Sequence, residues 1–245
     1  MSIKITEIIG RSDQGVTKPF ICRADNEEIY FVKGRGAGRR SLLCEFIASS
    51  LGIALGLPIP PIAIVDVPES LVALGSRDDL SELGAGPAFA SLRKKNISEL
   101  SLSLAERVPD QMQRDVLAFD WWVRNGDRTL NKNGGNPNLF WDSEAARLVV
   151  LDHNQAFDLD FSPQGFRDFH VFRRHCGAIF EDWITRSQYG DGYIKAMSNW
   201  AKICDTIPAE WWFVDAEMTV PVAFDLHMLQ KQLLDCRSDA FWNLK

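Results

Sequence analysis

Asp127, Asn136, Asn138 and Asp152 are the residues of this 245-residue chain whose types and spacing could do chemistry together. They share one stretch, FDWWVRNGDRTLNKNGGNPNLFWDSEAARLVVLDHNQAF, spanning residues 119–157. An acid able to take a hydroxyl proton, then amide oxygens, then a second carboxylate brought back by a hairpin, is what phosphoryl transfer from Mg·ATP requires. That reaction asks for positioning and charge neutralisation more than for a covalent nucleophile. Hard oxygen ligands suit Mg²⁺, and Asn and Asp provide them.

Each of these residues also has an ordinary reading. N-G-D and G-G-N-P-N are turn compositions in their own right, so neither asparagine is meaningful alone. Arg128 could steady Asp127 or a phosphate, or could be a surface charge. Asp152 is the least ordinary of the set. It ends the apolar run Leu148–Leu151, and a carboxylate there is costly unless it meets a metal or a partner. His153 beside it either orients it or packs in the core.

Upstream, Lys33 ends the apolar run IYFV. A lysine at a strand end can hold phosphate oxygens as a compact point charge, or can simply be solvated. Glu45 sits twelve residues on, in the apolar segment SLLCEFIASSL. A strand lysine followed by a helix glutamate is the arrangement by which kinases hold their lysine in place. The segment GRSDQGVTKPF, with Ser12 and Gly15, offers small residues whose backbone N–H groups could approach a phosphate. It matches neither standard glycine-rich phosphate motif. GRGAGRR at 34–40 is an alternative anion cradle or a basic loop.

The elements that must carry these residues follow from periodicity. Residues 18–33 read as a hairpin, with PFIC and IYFV flanking the turn-prone ADNEE. Leu42, Leu43, Phe46, Ile47, Leu51 and Ala54 recur at helical spacing, and Gly56 with Pro58 is a stop signal. PIPPIAIVDVP supplies a β-rich run, and residues 75–100 read as a connector. Pro109 to Val123 is predicted helical, with Pro in the first turn. Beyond residue 165, aromatics alternate with charges in a mostly helical part. The fold class is therefore α+β: a small β-rich N-terminal part over 1–85 that would bind ATP, and a larger mainly helical part over 86–245 with the catalytic loop and hairpin.

Composition sets bounds. With 46% hydrophobic and 24% charged residues the chain can bury a core. Net charge −6 gives no support for a broad nucleic-acid surface. The five cysteines are scattered without a C-x-x-C pair, which suits reduced thiols in a cytoplasmic protein. No apolar signal segment or membrane-length run is present. His170, His175 and Cys176 invite a zinc reading, but their spacing fits no common finger. The eight tryptophans have no basic surroundings and read as packing residues.

The combination FDWWVRNGDRT, NPNL and VVLDHNQAFD, with GVTKPFIC and IYFVK upstream, resembles the HipA-like kinases and, more distantly, the phosphatidylinositol 3/4-kinase-like fold. The resemblance implies a two-lobed, ATP- and Mg²⁺-dependent Ser/Thr kinase. In it Lys33 would contact ATP phosphates with Glu45 as its anchor, and Ser12 and Gly15 would lie in the phosphate loop. Asp127 would be the catalytic acid/base, and Asp152 with Asn136 or Asn138 would hold metal. Relatives place the metal-binding asparagine five residues after the aspartate. Here that position is Lys132, the extra residues NKNGG look like an insertion, and Thr129 stands where relatives often have His. The resemblance also implies a protein substrate of the translation machinery and a restraining antitoxin, as in toxin–antitoxin systems. A nucleotide-binding regulatory module without activity, or a small-molecule or lipid kinase, are the other functions in view.

Overall fold

The computed structural model describes residues 2–12, 18–73, 75 and 77–243, which form two compact units.

The first unit comprises Met1–Phe46, Pro60–Lys94 and Thr206–Phe224. Its centre is a closed barrel of five strands: β1 (Ile3–Arg11), β2 (Phe20–Ala24), β3 (Ile29–Lys33), β4 (Ile62–Val67) and β5 (Gly86–Leu92), in the order β1-β2-β3-β5-β4. Closure leaves no exposed edge among these strands. The expected hairpin is β2–β3, paired Phe20 with Val32 through Arg23 with Ile29. Its ADNEE turn closes with Glu27 in the left-handed region and a 3.0 Å bond from the Ala24 N–H to the Glu28 carbonyl. Alternation sends Phe20, Cys22 and Ala24 into the core with Tyr30, Val32, Val65, Ala88 and Ala90. The stretch 75–100, expected as a connector, instead contains β5, which fills the barrel between β3 and β4. Its run GPAFASL is short, small-residued and buried on both faces, so the period-two signal is missing.

The second unit comprises Ile47–Ile59, Lys95–Asp205 and Asp225–Lys245. A three-stranded sheet joins β6 (Ile97–Glu99), β7 (Leu139–Asp142) and β8 (Arg147–Val150), with β7–β8 as the expected hairpin. The helix Asp110–Trp122 takes Pro109 as its N-cap and presents Val116, Leu117, Phe119, Trp121 and Trp122 to the interior. Trp121 meets the edges or faces of Phe161, Phe166, Phe180 and Phe241. Trp122 stacks on Tyr193 at 4.3 Å and donates its indole N–H to the Leu233 carbonyl at 2.9 Å. Aromatic pairs of this kind contribute about 0.5–1.5 kcal/mol each beyond area burial. The C-terminal part is helical over Pro163–Phe169, Cys176–Phe180, Trp183–Ala196, Trp200–Thr206 and Leu226–Leu234.

All five cysteines are free thiols, and Cys22, Cys44, Cys176 and Cys236 are buried. Burial pushes the Cys22 and Cys44 thiols up to about 12. Among the described residues, no helix is long and apolar enough to cross a membrane.

Candidate active site

In the first unit, Lys33 and Glu45 form an ion pair. Lys33 ends β3, and Glu45 lies one turn and a half into the helix Arg39–Ala54. Lys33 Nζ donates to Glu45 Oε2 at 2.7 Å, with the two side chains 9% and 4% exposed. In a pair this buried, each charge offsets part of the desolvation cost of the other. Ser12 follows β1, and its N–H donates to the Pro19 carbonyl at 2.9 Å. Gly15 lies outside the described residues. GRGAGRR is a 3₁₀ turn, Arg35–Ala37, after Gly34. A Cβ at Gly34 would lie 1.8 Å from the Leu83 carbonyl oxygen, so close packing of two chain segments accounts for this glycine.

In the second unit, Asp127, Asn136 and Asn138 come together. The side-chain amides of Asn136 and Asn138 both donate to Asp127 Oδ2, each at 2.8 Å. The carboxylate takes the N–H ends, so both amide oxygens turn away from it. Among the described residues, none donates to those amide oxygens or to Asp127 Oδ1.

The NKNGG excursion is a structured turn. Asn131 and Gly134 exchange two main-chain bonds at 3.0 and 3.1 Å. Thr129 then closes the base: its N–H donates to the Asn136 carbonyl at 3.1 Å, and its Oγ1 accepts the Asn136 N–H at 3.3 Å. Gly135 has φ +154°, and a Cβ there would lie 2.4 Å from the Thr129 carbonyl oxygen. Only glycine permits that approach. The insertion is pinched off, so nine or eleven residues of separation still return an amide to Asp127.

Asp152 is placed by the hairpin. Leu139 pairs with Val150, and beyond that rung the Leu151 N–H donates to the Asn138 carbonyl at 3.2 Å. Asn138 and Asp152 thus leave the same end of the ladder, and both have left-handed backbones, φ +48° and +56°. Such positions cost about 1–2 kcal/mol for residues other than glycine, least for Asn and Asp, and gather at functional sites. His153 is fully buried, with Nδ1 3.1 Å from Ser49 Oγ and its ring edge-on to Phe119.

Of the three readings of Arg128, steadying Asp127, a phosphate contact or a surface charge, the last is overturned, and its bonds go to residues other than Asp127. It is fully buried. Its Nε donates to Asp120 Oδ2 at 2.8 Å, and its Nη1 donates to the carbonyls of Asn138 at 2.7 Å and Leu151 at 2.9 Å. Asp120 Oδ1 accepts from Asn125 Nδ2 at 3.0 Å, and Oδ2 also meets His170 Nε2 at 3.0 Å. His170 Nδ1 accepts the Phe172 N–H at 3.1 Å, so that nitrogen carries no proton. His170 is therefore a neutral Nε2–H tautomer donating to Asp120. Burial alone would raise Asp120, but the Arg128 guanidinium and His170 hold it below its ordinary value. Burial lowers His170, against the opposing pull of Asp120.

Asp120, Asn125 and His170 were not among the residues expected to matter. Asp120 carried a signal, a charge inside the apolar run LAFDWWV. His170, fifty residues on, carried none.

The donors present suit a hard divalent cation. Among the described residues no three His, Cys, Asp or Glu side chains form a metal-holding group. The Asp152 carboxylate and the outward amide oxygens of Asn136 and Asn138 are the oxygen donors at this loop. Mg²⁺ typically uses one or two carboxylates and leaves the rest of its shell to phosphates and water.

Asp127 also lines a cavity of about 420 Å³ within the second unit, with Thr129, Asp158, Asp160, Phe161 and Phe169 among its walls.

Among curated proteins, none matches this chain in sequence. Among solved structures, the crystal structure of a Helicobacter pylori proinflammatory kinase, CtkA, is similar at 10% identity with a TM-score of 0.42, covering 98% of this chain and 95% of that one. The family model of the HipA-like kinases matches residues 5–245, a span that takes in the Lys33–Glu45 pair, the Asp127 loop and the β7–β8 hairpin. The chain belongs to the HipA-like kinase family.

Proposed function

We propose that this kinase transfers the γ-phosphoryl group of Mg·ATP to a serine or threonine hydroxyl of a protein. The observation that carries the proposal is the state of Asp127. Both asparagine amides sit on Oδ2, which fixes the carboxylate, while Oδ1 has no donor among the described residues and the residue borders a cavity. A fixed carboxylate with one uncommitted oxygen is suited to receive a hydroxyl proton.

In this reading Asn136, tied to Thr129, holds Asp127 in place. Asn138 and Asp152, leaving one end of the β7–β8 ladder, are the metal ligands. Mg²⁺, when bound, neutralises charge on the transferring phosphoryl group. Lys33, kept extended by Glu45, contacts the nucleotide phosphates, and Ser12 and Gly15 belong to the loop that covers them. The finer fold reading, a small β-rich lobe and a larger mainly helical lobe, belongs to the same proposal. A translation-machinery substrate and an antitoxin partner enter it through family resemblance alone.

The test is incubation of the whole protein with labelled ATP and Mg²⁺, in buffer and in lysate, for wild type, Asp127→Asn and Asp152→Asn. Wild type is expected to label protein, and both variants to lose the label. ATP binding without transfer by wild type would leave a nucleotide-binding regulatory module in place of the enzyme. Label confined to small molecules would make it a small-molecule kinase.

A further inference from the structure

The cavity on Asp127 has a chemistry that the phosphoryl-transfer residues do not use. Its volume, about 420 Å³, falls in the range of about 300–1,000 Å³ usual for ligand sites. Three of its walls are carboxylates, Asp127, Asp158 and Asp160, and none of the described residues that line it is basic. A phosphate-bearing ligand would meet only like charge there, so the cavity is unsuited to the nucleotide.

Two further observations concern what could fill it. Asp158 accepts the Asp160 N–H at 2.9 Å, a local turn that occupies one carboxylate oxygen. Among the described residues, no other side-chain partner engages Asp158 and none engages the Asp160 carboxylate, so none of them compensates this charge. Among the other lining residues, Phe169 is 54% exposed and packs against no other ring among the described residues, and Phe161 is half-buried. Carboxylates and an exposed aromatic ring that line one cavity make a setting for a guanidinium or ammonium, which pairs with the acid and stacks on the ring. Phe161 packs against Phe166 and Trp121, at 5.4 Å in each case, so its ring is held in place in advance of any ligand.

We infer that this cavity is the acceptor site, and that it takes a peptide in which the reacting serine or threonine is flanked by an arginine or lysine. The inference rests on the kinase reading above for the role of Asp127, and it adds the substrate class. The hydroxyl meets Asp127, and the neighbouring cation sits between Asp158, Asp160 and Phe169.

The experiment uses the full chain and three fluorescent peptides that share one central serine, flanked by arginines, by alanines or by glutamates. Binding is read by anisotropy, and transfer is read with labelled ATP and Mg²⁺. The arginine peptide is expected to lead the alanine peptide by about tenfold in both affinity and kcat/KM, the scale of two partly exposed charge pairs. In Asp158→Asn/Asp160→Asn, which keeps the side-chain shapes and the local turn, that lead should vanish. In Asp158→Arg/Asp160→Arg the preference should invert toward the glutamate peptide, a gain that misfolding cannot produce. Phe169→Ala should weaken the arginine peptide alone. Equal binding of all three peptides by wild type, or a lead that survives the double Asn variant, overturns the inference. Selective binding of the arginine peptide with no transfer to any acceptor would uphold the cavity's chemistry while sinking the kinase reading on which its catalytic role depends.

Discussion

Arg128 donates from Nη1 to the main-chain oxygen of Leu151 at 2.9 Å, one residue before Asp152. The same nitrogen reaches the Asn138 carbonyl, and Nε is held by Asp120. One buried guanidinium therefore fixes, through main chain, the candidate metal asparagine and the approach to the candidate metal aspartate. Its position is a matter of fork geometry as much as of charge.

Arg128→Lys is accordingly not a conservative change, because an ammonium cannot reproduce the planar fork. Transfer should fall by about a hundredfold, the scale expected when reacting groups shift by about an ångström. Arg128→Ala leaves the Asp120 carboxylate buried without its cationic partner, and should cost about 3–5 kcal/mol of stability. Urea unfolding and single-turnover transfer separate the two effects. A lysine variant with wild-type rates would remove Arg128 from any positioning role.

Asn136 and Asn138 share one carboxylate oxygen but differ in everything around it. Asn136 is bonded to Thr129 at the base of the turn, whereas Asn138 has its carbonyl on Arg128 and on the Leu151 N–H. Asn138→Ala should therefore raise the Mg²⁺ concentration needed for half-maximal transfer by about 10–100-fold, the usual scale for disturbed metal sites. Asn136→Ala should lower kcat with the Mg²⁺ requirement close to wild type. Titrating Mg²⁺ against transfer rate for both variants checks this, and a reversed pattern would exchange the two roles.

What could be read in the sequence follows from how local each signal is. Asp127 and Asp152 stood out because a turn motif and the end of an apolar strand are local patterns, and the hairpin between them is bounded by its own turn residues. The Lys33–Glu45 pair was legible as a strand end followed by a helix. The choice between the asparagines was not. It depends on Thr129 bonding to Asn136 across a loop pinched at Gly135, which no periodicity encodes. His170 meets the Asp120 carboxylate from fifty residues away, and Arg128 meets the main-chain carbonyls of Asn138 and Leu151, ten and twenty-three residues on; sequence carries no mark of which group is used. β5 escaped for the opposite reason: small residues buried on both faces alternate with nothing.

The Lys33–Glu45 pair lends itself to a double substitution. Removing Glu45 alone, as Glu45→Leu, leaves a buried ammonium, and should cost about 3–5 kcal/mol. Lys33→Met/Glu45→Leu removes both charges and should recover most of that loss, since an apolar replacement of a buried pair is often neutral. If Lys33 contacts nucleotide, ATP affinity should stay weak in the double variant despite restored stability. Calorimetric ATP binding beside urea unfolding tells the outcomes apart. Full affinity in the double variant would leave the pair a structural one.

The buried histidines make stability depend on pH in a stated direction. His170 is neutral with both ring nitrogens committed, and burial lowers it from its ordinary value. His175 is lowered as well, first by burial and then by the Arg174 charge. In the unfolded chain both would protonate near about 6.5. Below that pH the unfolded state binds protons that the folded state does not, so acid favours unfolding. Stability contributed by neutral His170 and His175 is fully present above about 6.5 and is lost as pH falls through that value toward the folded ones. Each histidine can add a slope approaching about 1.4 kcal/mol per pH unit. Asp120, held low against its burial by Arg128 and His170, acts in the same direction but only at more acidic pH, where ordinary carboxylates titrate. Urea midpoints at pH 7.5, 6.5 and 5.5 should therefore drop most over the last interval for wild type. In His170→Gln, whose amide can still donate to Asp120, the drop should be shallower by up to one histidine's share. An unchanged slope in that variant would mean that His170 takes up a proton in the folded protein, and that the tautomer fixed by Phe172 does not hold in solution.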